Sequence, residues 1–243
     1  MNGEEHVILS LLSAGVILTP LLGSIGPIIP LVCLIGVFIG SLAPDADTPA
    51  SSIMHGFSGR QGRLRSVKRH TIIFLPLFGY ILRYLVFYPA SAVVWLFTLG
   101  REKPRHRGVM HSLLGAVIAA LVIGLILYGT VVILAGFDAK IWIYAFLSGF
   151  LFGYLMHLIE DSCTRHGVRW LYPLSKAKLS GNLAAESSGI RLSFVVVAGA
   201  FLFVLISSPV LHIPVPEGGG LAYGFIILSI AWVAVMAVAG VHS

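Results

Sequence analysis

Charge is what this sequence has least of. Of its 243 residues only 11% are charged, against 57% hydrophobic, and the mean hydropathy is +0.95. A water-soluble domain needs far more charge to cover its surface, so the scarcity excludes one and identifies a membrane protein. Long polar stretches are also missing. No separate soluble core can be built, and residues 1–243 read as a single integral membrane domain. Cysteine is nearly absent. Cys33 and Cys163 stand in or beside apolar segments with no CxxC spacing, which excludes a disulfide framework or thiolate metal site and leaves them as packing residues. The N-terminus lacks a basic n-region, and Glu4 and Glu5 carry the wrong sign for one, so the first apolar segment is expected to be a retained span. No fixed-period repeat or heptad appears.

What is present is a series of apolar runs suited to crossing a bilayer, at about 7–22, 27–43, 109–135, 141–161, 191–211 and 221–241. They predict an all-α, polytopic transmembrane bundle of six spans. The segment 71–99 is apolar but broken by Pro76, Gly79, Arg83 and Pro89. Lys and Arg resolve its parity. Fourteen of the sixteen lie in three connections, at 60–69, 101–107 and 165–191, leaving only Arg83 and Lys140 elsewhere. The positive-inside rule assigns those connections to the cytoplasm. A segment with both flanks inside crosses twice or not at all, and broken backbone suits a re-entrant or interfacial helical pair at 71–99. Both termini are then expected in the cytoplasm, with the protein in the inner membrane. The formal net charge of +6 fits that orientation and contact with anionic inner-leaflet lipids; direct nucleic-acid binding is not expected.

Acidic groups near a membrane are costly and therefore informative. Asp45 and Asp47 follow Pro44 at the cytoplasmic end of the second span. In an extended turn residues i and i+2 point the same way, so both carboxylates can converge on one cation, although the pair is equally an Asx-type helix stop. His106 and His111 bracket HRGVMH; five residues is not one helical face, which puts His106 in a loop or cap and His111 in the first helical turns. His157 and Asp161 differ by four and share a face, which is metal-ligand spacing and also that of a hydrogen-bonded pair. Lys and Arg alone define the topology, yet it gathers His6, Asp45, Asp47, His106, His111, His157 and Asp161 at one end of the bundle. Nitrogen and carboxylate ligands without thiolate suit zinc, or manganese or iron, in one or two ions or more, able to activate water as a nucleophile. Arg107 is placed to bind a phosphate oxygen and is, with Asp47, the candidate catalytic group. His55, His70 and His166 are spare candidates, and His212 and His242 read as structural or exposed.

The combination of His6, PDAD at 44–47, HRGVMHS at 106–112 and GYLMHLIEDSCTRHGVRWLYP at 153–173 resembles the membrane-bound, metal-dependent hydrolases of the YdjM type, described as LexA-binding, inner-membrane-associated proteins. The likeness spans residues 6 to 173. That family is in turn distantly similar to zinc-dependent phospholipase C and the single-strand-specific zinc nucleases, which use His and Asp ligands including an H-x-x-x-D pair. The resemblance implies His157 and Asp161 as ligands, completed by His6, Asp45, Asp47, His106 and His111. The expectation is a hydrolase of phosphoester bonds in a membrane lipid or lipid-linked substrate. A metal or ion transporter and a non-catalytic, metal-stapled scaffold are the rival readings.

Overall fold

A computed structural model describes residues 3–55, 74–101, 107–136, 138–183, 199 and 220–242. The basic stretch at 59–70, His70, His106, His212 and, save Gly199, the span expected at 191–211 lie outside these residues. The described chain is helical, with only isolated β-bridges. Its principal helices are α1 (Gly3–Leu21), α2 (Ile28–Gly40), α3 (Leu75–Phe97), α4 (Leu113–Leu134), α5 (Lys140–Ser162) and α6 (Gly220–Val238). Among them α1, α3, α4 and α5 are long and apolar enough to cross a membrane, while α2 is a shorter apolar helix. Helices α1, α2, α4, α5 and α6 fall on five of the six expected runs, and the span count of six is not reached by length among the described residues.

The helical pair expected at 71–99 is corrected to one continuous helix. Its prolines sit where a helix tolerates them. Pro76 lies in the first turns of the helical segment Phe74–Ile81, where N–H groups have no intrahelical partner. Pro89 follows a π-helical stretch, Leu82–Phe87, whose wider turns accommodate a residue without an N–H.

The centre of the molecule is the α2–α5 pair. A Cβ on Gly36 or Gly40 would collide with the carbonyl oxygen of Phe146 or Phe150, and one on Gly149 or Gly153 with that of Cys33 or Val37. Two glycine pairs spaced by four, facing one another, therefore let the backbones touch, as small residues do between membrane helices. Phe150 and Tyr154 are fully buried beside this seam, and the Tyr154 hydroxyl donates to the Met110 carbonyl, tying α5 to the approach of α4. A smaller cluster joins α1, α5 and α6 through Leu9, Ile17, Met156, Leu228 and Trp232, with Trp232 Nε1 donating to Ser13 Oγ at 3.1 Å.

Both ends of the described chain approach the same end of the bundle. His6 in the first turns of α1 touches the last turn of α5. Past α6, His242 and Ser180 exchange backbone hydrogen bonds and Asn182 N–H donates to Ala239 O, which fastens the C-terminal end to the segment leaving α5.

Candidate metal centre

Four helix ends deliver the charged side chains. After α2 the chain turns through a 3-10 segment, Ala43–Asp47, with Pro44 in its first positions. Before α4 a second 3-10 turn, Val109–His111, ends at Ser112, whose hydroxyl caps the helix by accepting from Gly115 N–H at 3.1 Å. His111 thus stands just ahead of the helix instead of within its first turns. His157, Glu160 and Asp161 occupy the last turns of α5, and His6 comes from α1.

Three imidazoles share one logic. Each turns Nδ1 outward to an oxygen and Nε2 inward. His157 Nδ1 lies 2.7 Å from the Ser41 carbonyl, which can only accept, so Nδ1 carries the proton and Nε2 keeps a free lone pair. His6 Nδ1 bonds the Glu160 carboxylate, whose other oxygen accepts from Ser10 Oγ at 3.3 Å. His111 Nδ1 faces Asp47 Oδ2 at 3.6 Å. The inward Nε2 atoms surround Asp161, at 3.8 Å for His6, 3.6 Å for His111 and 3.7 Å for His157. Asp45 Oδ1 closes the ring, 3.6 Å from His111 Nε2 and 3.8 Å from His157 Nε2.

All three histidines and Asp161 are buried, yet His157 Nε2 and Asp161 Oδ1 make no hydrogen bond. A buried polar atom left so is costly unless a ligand meets it. Two sets of ligand atoms are close enough together to hold an ion: His6, His157 and Asp161, and Asp45, His111 and His157. Donors about 2.0–2.2 Å from a common ion stand some 3–4 Å apart, and the His–Asp pairs within these sets are 3.6–3.8 Å apart. The residues fit a divalent metal, and the outward partners of the three rings are the kind that orient metal-binding histidines.

Asp45 and Asp47 do not act as the parallel pair an extended turn would give. A 3-10 helix has three residues per turn, so positions i and i+2 diverge. Asp45 reaches the inward edge of His111 and Asp47 its outward edge, where Asp47 also accepts from Thr48 Oγ1 at 3.0 Å and from Arg107 N–H at 3.1 Å. Asp47 therefore stands behind a ligand and belongs to neither set. Arg107, held at φ 59, lays Nη2 3.0 Å from Asp161 Oδ2 and points Nη1 at the Gly167 carbonyl, 3.4 Å away. The side chains of Asp45 and Arg107 are 25% and 22% exposed, which makes them the open side of an otherwise closed cluster.

Burial pushes against charge on both titrating groups outside the helices. On His111 the neighbouring Asp45 and Asp47 carboxylates override it and raise the imidazole to about 9. On Asp45 burial is outweighed by the imidazoles around it, of which His111 is the charged one, and the carboxyl is held below its ordinary range. Cys163 is different: burial, then the charges of Glu160 and Asp161, push its thiol up to about 12, in keeping with a packing residue.

Arg83 accounts for a cation inside an apolar helix. Its Nη1 donates to the carbonyls of Ala46 at 3.1 Å and Asp47 at 2.9 Å, and its Nη2 to Tyr88 Oη at 3.2 Å, so its partners are the backbone of the ligand-bearing turn, not a carboxylate. Glu160 is the other residue the sequence reading underused. Placed one before Asp161, it lies off the ligand face of α5, and only the course of α1 brings His6 against it. His55, His166 and His242 are exposed and remain outside the cluster.

No curated protein and no solved structure matches the chain. A family model described as the YdjM inner membrane protein matches residues 86–241, a stretch that holds Arg107, His111, His157, Glu160 and Asp161 and leaves His6, Asp45 and Asp47 ahead of it. With apolar helices, a ligand cluster at their ends and this match over well more than half its length, the chain is an integral membrane protein that belongs to the YdjM inner membrane protein family.

Proposed function

We propose that the protein is a membrane-embedded, metal-dependent hydrolase that cleaves phosphoester bonds of a lipid or lipid-linked substrate at the cytoplasmic leaflet. The observation that carries this reading is the convergence of three Nε2 atoms on two carboxylates, with the partly exposed Asp45 and Arg107 beside them. A metal held solely as a helix staple needs no such opening. A transport site is expected nearer mid-membrane than at helix ends.

A divalent ion in this donor set, zinc in first place and manganese or iron next, supplies a Lewis acid that brings the pKa of water toward neutrality. One ion is favoured over two, because both ligand sets share His157 and its Nδ1 is already committed to Ser41. The protein's own groups divide the remaining work. Asp45, ionised and partly exposed, is the carboxylate of the second ligand set and stands at the opening. Arg107 offers a guanidinium to phosphate oxygens while Asp161 and the Gly167 carbonyl limit its swing. Asp47 holds the His111 ring and the Arg107 main chain in register. A cytoplasmic site, with both termini on its side, is supported by Arg107, Arg165, Arg169, Lys176 and Lys178, all in connections at this end.

The test is elemental analysis of detergent-purified protein against His157→Ala and Asp161→Ala, followed by a hydrolysis screen over phospholipids and lipid-linked phosphates. One equivalent of metal in the wild type, lost in both variants together with phosphate release, is the expected result. Protein that neither contains nor rebinds metal, or variants that keep both metal and activity, would overturn the reading.

A further inference from the structure

The connection leaving α5 has an unusual surface. Val168 and Leu179 exchange backbone hydrogen bonds of 2.8 and 2.9 Å, closing the neck of a loop. Inside it Tyr172 N–H bonds Arg169 O, Ser175 N–H bonds Leu171 O, and the Arg169 guanidinium lies over the Tyr172 ring at 4.6 Å. The loop is thus built, and its side-chain directions are set by structure. Yet it holds Leu171 at 55% exposure and Leu174 at 92%. Exposed leucines on α4 face the lipid that an apolar helix crosses, but these two belong to no spanning helix. The same stretch carries Arg165, Arg169, Lys176 and Lys178, and residues 164–183 contain no Asp or Glu.

Leucines presented on a loop that carries cations and no acid of its own are the makings of a surface that enters a headgroup layer, with apolar side chains toward the acyl boundary and cations toward lipid phosphates. A protein partner would have to offer an acidic surface with apolar pockets, and nothing in the loop calls for pockets. The neck touches the metal centre directly, because Gly167 beside it accepts from Arg107 and Trp170 O accepts from Leu113 N–H at the start of α4, 2.9 Å away.

We propose that the 168–179 loop is seated in the headgroup layer of an anionic leaflet through Leu171 and Leu174, so that the opening beside Arg107 and Asp45 lies among lipid phosphates. This names the surface from which the proposed hydrolase takes its substrate and rests on that reading only for this consequence. Seating itself is read without any hydrolysis, so the two can fail separately.

The experiment places a single fluorescent label at Leu174→Cys in the Cys33→Ala background; Cys163, 2% exposed, stays unlabelled in the native protein. The protein is reconstituted into phosphatidylcholine vesicles with or without phosphatidylglycerol, carrying either an acyl-chain nitroxide or an aqueous quencher. The same label at Lys178→Cys is the reference. Acyl-chain quenching at position 174 is expected to be at least twofold stronger than at 178 and to fall by half or more without phosphatidylglycerol. Replacing Arg165, Lys176 and Lys178 with Gln in the Leu174→Cys protein should cause a similar fall. Quenching at 174 mainly by the aqueous reagent would overturn the proposal, and so would protection from both quenchers, which would mean that protein covers the loop.

Discussion

Helices α4 and α5 are of nearly equal length, yet half of the spanning window of α5 is buried inside the protein and only 17% of that of α4. The less buried helix is the more apolar one. In water the order would be reversed, because apolar faces turn inward to escape the solvent. Lipid removes that drive, so on α5 residues that permit close approach or need a polar partner, Gly149, Gly153, Tyr154, His157, Glu160 and Asp161, share the interior with apolar ones such as Phe150 and Leu158. On α4, Tyr128–Leu134 buries no residue at all, and the helix contributes to the centre only along its first half, through the capped turn at its start and a buried face of Gly115, Ala116, Ala119, Ala120 and Ile123. High apolarity does not by itself mark the core here: small and polar residues share it with buried aliphatic and aromatic side chains such as Ile123, Phe150 and Leu158.

The change expected to break this comparison most severely is Gly153→Leu. A side chain there must displace the Val37 backbone and force α2 from α5, separating Ser41 from His157. Overpacking a tight core costs about 3 kcal/mol at its upper end, and this seam leaves no flexible side chain to yield. The variant should lose its monodisperse elution in mild detergent and its metal. A metal-loaded, wild-type-like protein would show that the seam does not hold the centre.

Next is Glu160→Gln, which keeps an acceptor for His6 but removes the carboxylate charge. Outer partners of metal ligands are worth roughly 10–100-fold in affinity, so chelator competition should find binding weakened about tenfold, with melting little changed. Arg83→Met should follow. It strips two charge-assisted hydrogen bonds from the turn carrying Asp45, bonds worth about 1.5–3 kcal/mol each, while Arg83→Lys should recover part of the loss. The visible spectrum of a cobalt-loaded protein reads the ligand geometry; a spectrum unmoved by Arg83→Met would deny the residue a positioning role.

These residues also mark where sequence reading reaches and where it stops. The run at 141–161 became Lys140–Ser162 and that at 109–135 became Leu113–Leu134, because twenty apolar residues have few alternatives to a helix in lipid. His6, Asp45, His111, His157 and Asp161 stood out for the same reason, since each charge near a membrane demands a purpose. Local backbone was harder to read. Pro76 and Pro89 suggested a broken segment, but a first turn and a π-helical stretch absorbed them; Asp45 and Asp47 suggested a shared direction, but a 3-10 turn divided them. Glu160 meets His6 and Arg83 meets the Asp47 carbonyl across 154 and 36 residues of sequence, which no local pattern carries. The glycine pairs 36/40 and 149/153 went unread, because their spacing acquires meaning only once the two helices face one another.

The smallest expected effect is the most direct probe of lipid as the solvent of α4. Ile123 and Leu125 lie two residues apart on that helix, one 1% exposed and the other 72%. Truncating a buried isoleucine leaves a cavity and costs about 2–5 kcal/mol. Truncating Leu125 exposes nothing to water, because acyl chains move into the vacated space, and such surface changes stay within about 0.5 kcal/mol. Thermal unfolding in lipid nanodiscs should therefore separate Ile123→Ala from Leu125→Ala by several degrees. Equal losses would mean that the Leu125 face is packed against protein, and the contrast between α4 and α5 would then be one of partners instead of solvents.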